Sequence, residues 1–374
     1  MNTLGLYIHI PFCRSKCLYC DFCSFPRMSG EIVTRYVDEL CRRLGTCAPS
    51  AKDRVVDTVY FGGGTPTLLP TKDFARILQT VAACYTLTDD CEITAECNPA
   101  TADLAYLSSL RALGVNRLSI GLQSVHENEL RALGRAHTFA DFKAVFTDAR
   151  RAGFDNVSVD LMYGIPNQTE ESFRSSIATL CDLCPEHISS YGLKIEDGTP
   201  FSRMQKSLLL PDEDTEYRMY CLLTHELEKR AYHKYEISNF AKAGRHSRHN
   251  LRYWHGEEYL GFGVAAHSYF DGVRFGNSRD IDGFLRGEDI TCERTTLSLH
   301  EREEEYVMLR LRLAEGISRA EFFARTGEAF EARYPSVSRM IDGGFMKLED
   351  DRIFFTDKGF FVSNAILADM LSFD

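Results

Sequence analysis

Strand-like and helix-like segments follow one another without interruption up to residue 194, and this alternation limits the fold more than any other feature of the chain. Residues 6–10 form a short β-branched run ending at Pro11. Residues 32–44 then carry Ile32, Val33, Tyr36, Val37, Leu40 and Leu44 at a helical period. Strand patterns recur at 55–61, 91–96, 117–123, 157–162 and 188–194, and helix patterns at 73–85, 101–113, 139–152 and 169–183. Gly114 and Gly153 close two of the helices, and Thr169 opens another ahead of glutamates. Six βα units predict an α/β fold with a parallel sheet, too short for an eight-stranded barrel. A partial (β/α)6 TIM-like barrel follows. Sheets of this kind gather ligands at the carboxyl ends of their strands. Polar residues collect there: a cysteine cluster after the first strand, Gly62-Gly63-Gly64-Thr65 after the second, Glu96 and Gln123 ending the third and fourth, and Asp160 and Tyr191 in the fifth and sixth.

The net charge is −11 over 374 residues, which argues against nucleic-acid or anionic-membrane binding. No apolar run approaches the length of a membrane span, so no stable membrane insertion is predicted. The N-terminus lacks a basic region and a small-residue cleavage site, and a cytoplasmic location is the expectation.

Thirteen cysteines are many for a reducing compartment, and four of them fall between residues 13 and 23. Cys13, Cys17 and Cys20 are spaced C-x3-C-x2-C. Three thiolates can hold an iron–sulfur cubane and leave one iron open, where an amino acid can chelate. A zinc site that adds Cys23, or a closed four-cysteine cluster, uses the same thiols. Tyr19, beside Cys20, favours the open cluster as a stacking partner for an adenine. Cys23 then reads as a small buried residue. The glycines at 62–64 lack a Cβ, so backbone there can approach a ligand closely.

Tyr7-Ile8-His9-Ile10-Pro11-Phe12-Cys13, Phe61-Gly62-Gly63-Gly64-Thr65-Pro66-Thr67, the segment from Gly114 to Ser124, and Asp160-Leu161-Met162-Tyr163-Gly164-Ile165-Pro166 together resemble the oxygen-independent coproporphyrinogen III oxidase family of radical SAM proteins. The resemblance runs from Tyr7 into the C-terminal region. It implies a radical SAM type of barrel, with a 4Fe–4S cluster on Cys13, Cys17 and Cys20 and S-adenosyl-L-methionine on the open iron. An electron through the cluster then yields a 5′-deoxyadenosyl radical. By the same resemblance Tyr7, Tyr19, Gly63, Gly64, Thr65, Glu96, Gln123, Arg135, Asp160 and Gly192 line the S-adenosylmethionine site.

The oxidases of that family carry C-x3-C-x2-C-x-C and a longer N-terminal extension. This chain has Phe22 at the fourth position and six residues before Tyr7. Both departures resemble the HemW heme-chaperone branch. Arg248-His249-Asn250-Leu251-Arg252-Tyr253-Trp254 contains H-N-x-x-Y-W, which is similar to that branch's heme-binding motif. An imidazole is a suitable axial ligand for heme iron, flat aromatics pack on porphyrin, and Arg245, Arg248 and Arg252 suit propionates. His249, Asn250, Tyr253 and Trp254 are therefore the heme candidates, with His246 and His267 as alternative ligands.

These observations divide the chain into a radical SAM barrel at 1–210, an extension with the heme motif at 211–296, and a small, mostly helical, winged-helix-like domain at 297–374. The expected function is a heme chaperone that binds heme and passes it to an acceptor protein. A reductase or flavodoxin-like donor would supply electrons. The competing expectation is coproporphyrinogen III dehydrogenase, which oxidatively decarboxylates propionates.

Overall fold

The computed structural model describes residues 2–371. Six strands, β1 (Asn2–Ile10), β2 (Arg54–Gly63), β3 (Leu87–Cys97), β4 (Arg117–Gln123), β5 (Val157–Tyr163) and β6 (His187–Gly192), pair in parallel and in chain order. Helices α1 (Gly30–Cys47), α2 (Thr71–Cys84), α3 (Leu104–Ala112), α4 (Glu127–Ala132), α5 (Phe139–Arg151) and α6 (Glu170–Asp182) connect them. The partial (β/α)6 barrel is therefore present. Each element differs from its sequence pattern mainly at its ends. Only α4 has no counterpart in the sequence patterns, because six residues are too few to display a helical period.

The period of β4 explains its place. Leu118, Ile120 and Leu122 are wholly buried in the apolar core, whereas Arg117, Ser119, Gly121 and Gln123 line a cavity inside the barrel. Thr138 and Thr169 cap α5 and α6, each in a reciprocal capping box, with Asp141 and Ser172 respectively.

The sheet does not stop at six strands. Tyr259–Phe262 adds in parallel to the free edge of β1, and His267–Phe270, Val273–Asn277 and Thr291–Thr296 continue antiparallel from it. Asn239–Ala241 and His233–Lys234 extend the other edge beyond β6. The twelve-stranded sheet remains open among the described residues.

A helix from this later part, α7 (Arg248–His255), fills the bottom of the barrel. Ser247 caps it, and its Arg252 side chain occupies the space that a Cβ on Gly5 would need, with Cδ only 2.6 Å from that position. The C-terminal part combines helices with a three-stranded antiparallel sheet, Ile317–Ser318, Arg352–Phe355 and Met346–Glu349. It is tied to the barrel through Lys234, which pairs with Asp357 and donates to the Tyr220 hydroxyl at 2.7 Å. No helix among the described residues is long and apolar enough to cross a membrane.

Candidate functional site

A cavity of about 670 Å³ opens at the carboxyl ends of the strands, and Cys13, Cys17 and Cys20 all lie on its wall. Their loop is anchored at several points. Phe25 N donates to Pro11 O at 2.6 Å, Arg27 N to Cys13 O at 3.1 Å, and Leu18 N to Leu133 O at 3.0 Å. Leu18 packs into a small apolar cluster with Leu133, Met162 and Phe201, which holds the middle of the loop down. The three thiols are half-buried and free of disulfides. Burial pushes the Cys20 thiol up to about 11. Among the described residues no group of three His, Cys, Asp or Glu side chains stands at metal-binding spacing. The donor set fits a cluster by its chemistry: three thiols from one short loop on the wall of one cavity, with Thr65 Oγ1 3.6 Å from Cys13 Sγ and Arg135 Nη1 donating to Cys17 Sγ at 3.6 Å. Cys23 points the other way, into the main apolar core, and its carbonyl accepts from His9 Nε2 at 2.9 Å.

Tyr19, Thr65, Glu96, Gln123, Arg135 and Asp160 share this cavity with the cysteines, as do Gly63, Gly64 and Gly192. Glu96 accepts from the Tyr60 hydroxyl at 3.0 Å and from Gly63 N at 3.1 Å. Asp160 accepts from the Ser119 hydroxyl at 3.3 Å. Burial, with Asp160 nearby, raises the Glu96 carboxyl to about 7, and burial raises Asp160 to about 6. Two partly desolvated carboxylates in one cavity suit a cationic ligand. Gln123 has a left-handed backbone (φ 72°) at an irregularity in the β4–β5 register, and its side-chain oxygen accepts from the Tyr191 hydroxyl at 3.3 Å. Such a conformation costs a non-glycine residue of order 1–3 kcal/mol.

The glycines on this wall also pack against the chain itself. A Cβ on Gly63 would run into the His9 ring, and one on Gly64 would stand 2.7 Å from Phe12 O. Gly64 N and Thr65 N donate to Ile10 O and Phe12 O. Residues 9–12, which lead into the cysteine loop, pack on these glycines, and both glycines also line the cavity. Tyr7, unlike the glycines, is not on the cavity wall. It lies deeper, stacked on Tyr60 and His249, and its hydroxyl bonds His9 Nδ1 at 3.0 Å.

The four H-N-x-x-Y-W residues all lie on α7. His249 is only 1% exposed, with Nδ1 2.9 Å from the Thr58 hydroxyl and Nε2 2.8 Å from the Tyr253 hydroxyl. Burial lowers its imidazole to about 3. In this conformation neither ring nitrogen is open to a metal. Tyr253 also packs edge-on against Tyr259, and Trp254 is half-buried and bonds Glu236. Of the four, only Asn250 reaches the cavity wall. Arg252 is buried in ion pairs with Asp57 and Glu257, so it is not open to a propionate. His267, by contrast, is exposed. The sequence reading missed Arg117, Asn239 and Tyr60, all on the cavity wall.

The radical SAM superfamily model matches residues 7–180, and the HemN C-terminal domain model matches 297–362. The heme chaperone HemW of Bacillus subtilis is 34% identical over 376 residues, covering 98% of each chain, and that of Escherichia coli is 35% identical over 373 residues, again 98% of each. The chain belongs to the HemW heme-chaperone family. Its fold is also that of the Escherichia coli coproporphyrinogen III oxidase HemN, a radical SAM enzyme, with a TM-score of 0.85 over 98% of this chain and 89% of that one. At 23% identity this second likeness concerns architecture alone. HemW membership accounts for the barrel and the C-terminal domain together.

Proposed function

We propose that this HemW-family chain holds a 4Fe–4S cluster on Cys13, Cys17 and Cys20, binds S-adenosyl-L-methionine in the adjoining cavity, and binds heme for delivery to an acceptor protein in the cytoplasm. The observation that carries the reading is the meeting of the three half-buried thiols with the Glu96–Asp160 pair in one cavity. Glu96 and Asp160 would face the cationic groups of the sulfonium ligand, Arg135 its carboxylate, and Tyr19 its adenine. Bound there, the cluster supplies electrons taken from a reductase or flavodoxin-like donor. His249, Asn250, Tyr253 and Trp254 would take heme only from a state in which α7 has left the barrel floor, because both His249 nitrogens are otherwise engaged. His267 and the half-buried His246 are the alternatives that need no such opening.

The HemN-like fold keeps coproporphyrinogen III dehydrogenase as the second reading. Phe22 opposes it: the fourth cysteine of the oxidases is replaced by a phenylalanine that is 70% exposed beside the cavity. The deciding experiment is an anaerobic incubation of reconstituted protein with reductant, S-adenosylmethionine and coproporphyrinogen III. Unchanged porphyrinogen together with saturable heme binding supports the chaperone. Stoichiometric formation of protoporphyrinogen IX overturns it.

A further inference from the structure

Two arginines are among the largest wholly buried side chains of the described residues. Arg252 is paired with Asp57 and Glu257. Arg117 is 1% exposed and faces the cavity, yet its side chain makes no hydrogen bond and no ion pair among the described residues, and its Nε is buried without a partner. Its position explains both facts. Arg117 opens β4 level with Thr94, one inward-facing place below Glu96, so it reaches the barrel interior beneath the carboxylate pair. Its charge is felt by Glu96, Asp160, His187 and His249, but no carboxylate oxygen of the described residues lies within 4.0 Å of its nitrogens. A buried guanidinium without a contact partner is unfavourable, and its planar fork is shaped for two oxygens of one carboxylate.

The same wall carries two more polar groups without a protein partner, one half-buried and one buried. Asn250 enters from α7 with no hydrogen bond to its side-chain amide among the described residues, and Asn239 Oδ1 is buried and unpartnered. We propose that this inner wall, centred on Arg117, is a separate subsite for a small aliphatic carboxylate. The guanidinium takes the two oxygens, and the Asn250 amide donates to one of them. A single negative charge balances a single guanidinium. A phosphate dianion would bring a second charge close to Glu96 and Asp160, so those carboxylates select against it. The subsite goes beyond the cluster and S-adenosylmethionine reading and does not depend on it.

Equilibrium dialysis of the full-length, cluster-reconstituted protein against radiolabelled propionate tests the proposal. Saturable binding is expected, weakened about tenfold or more in Arg117→Met and less in Arg117→Lys, with an equal concentration of phosphate failing to displace the label. Propionate binding that is the same in Arg117→Met, or displaced equally by phosphate or chloride, overturns it. So does stoichiometric displacement by S-adenosylmethionine, which would assign Arg117 to that ligand's own carboxylate. Circular dichroism checks the folding of each variant. If Arg117→Met does not fold, Asn250→Ala decides: weaker propionate binding supports the subsite, and unchanged binding removes it.

Discussion

The His249 Nε2 and the Tyr253 hydroxyl lie 2.8 Å apart on successive turns of α7, while the Thr58 hydroxyl meets Nδ1 from the opposite strand at 2.9 Å. The imidazole is thereby clamped between a helix and a strand. His249→Ala removes both bonds and leaves a hole against Tyr60, so a loss of about 2–4 kcal/mol is expected in urea unfolding. The heme titration of the same variant carries the functional answer. A Soret change lost with the imidazole keeps His249 as a ligand of an opened state. An unaltered Soret titration moves the ligand elsewhere, first to the exposed His267.

The cysteines should separate into two groups. Replacing Cys13, Cys17 or Cys20 with serine should abolish iron and sulfide incorporation. Cys23→Ser should retain it and lose only about 1–2 kcal/mol of stability, since its thiol packs in the apolar core. Equal loss of iron in Cys23→Ser and Cys20→Ser would restore the four-thiol alternatives.

Gly5→Ala tests the barrel floor. The added methyl would sit 2.6 Å from Arg252 Cδ and 3.0 Å from Thr58 Oγ1. Overpacking of this kind costs about 1–3 kcal/mol. A midpoint of unfolding equal to that of the wild type would show that α7 yields freely.

His137 gives a pH signature. Its Nε2 bonds Leu122 O at 3.1 Å, its Nδ1 is buried without a partner, and burial followed by Arg135 lowers it to about 4. The unfolded chain takes up the proton near 6.5, before the folded one does. Stability present above that pH is therefore lost as the pH falls toward 4, by at most about 1.4 kcal/mol per pH unit. Glu96 and Asp160, both raised, act in the opposite sense over the same window. The measurement is thus the difference between wild type and His137→Gln at about pH 7.5, above the window, and at about pH 6 and 5, inside it. The wild type should lose stability relative to the variant as the pH falls, and parallel curves would refute it.

The parallel sheet was legible because each strand and helix carries its own period. The cysteine loop was legible because its spacing is local. Arg117 was legible too, had the strand been read by twos: Arg117, Ser119 and Gly121 alternate with Leu118, Ile120 and Leu122, and a charge on the inner side of a buried strand calls for an explanation. What could not be read was pairing across distance. His249 and Tyr253 advertise one helical face by their spacing of four, but nothing near them announces Thr58, 191 residues away. The glycines at 63 and 64 were open to the same ambiguity. A missing Cβ makes room for a ligand or for the chain itself, and only the fold tells which.

The strand that begins the chain also has the longest wait for a neighbour. β1 is bordered by β2 on one side and by Tyr259–Phe262 on the other, and Arg252 fills the gap beside Gly5. During synthesis, one edge of β1 stays bare until Tyr259–Phe262 has emerged. Its apolar Leu4-Gly5-Leu6-Tyr7-Ile8 run is exposed to wrong partners for that whole interval. The edge of the sheet laid down first is thus among the last to be covered.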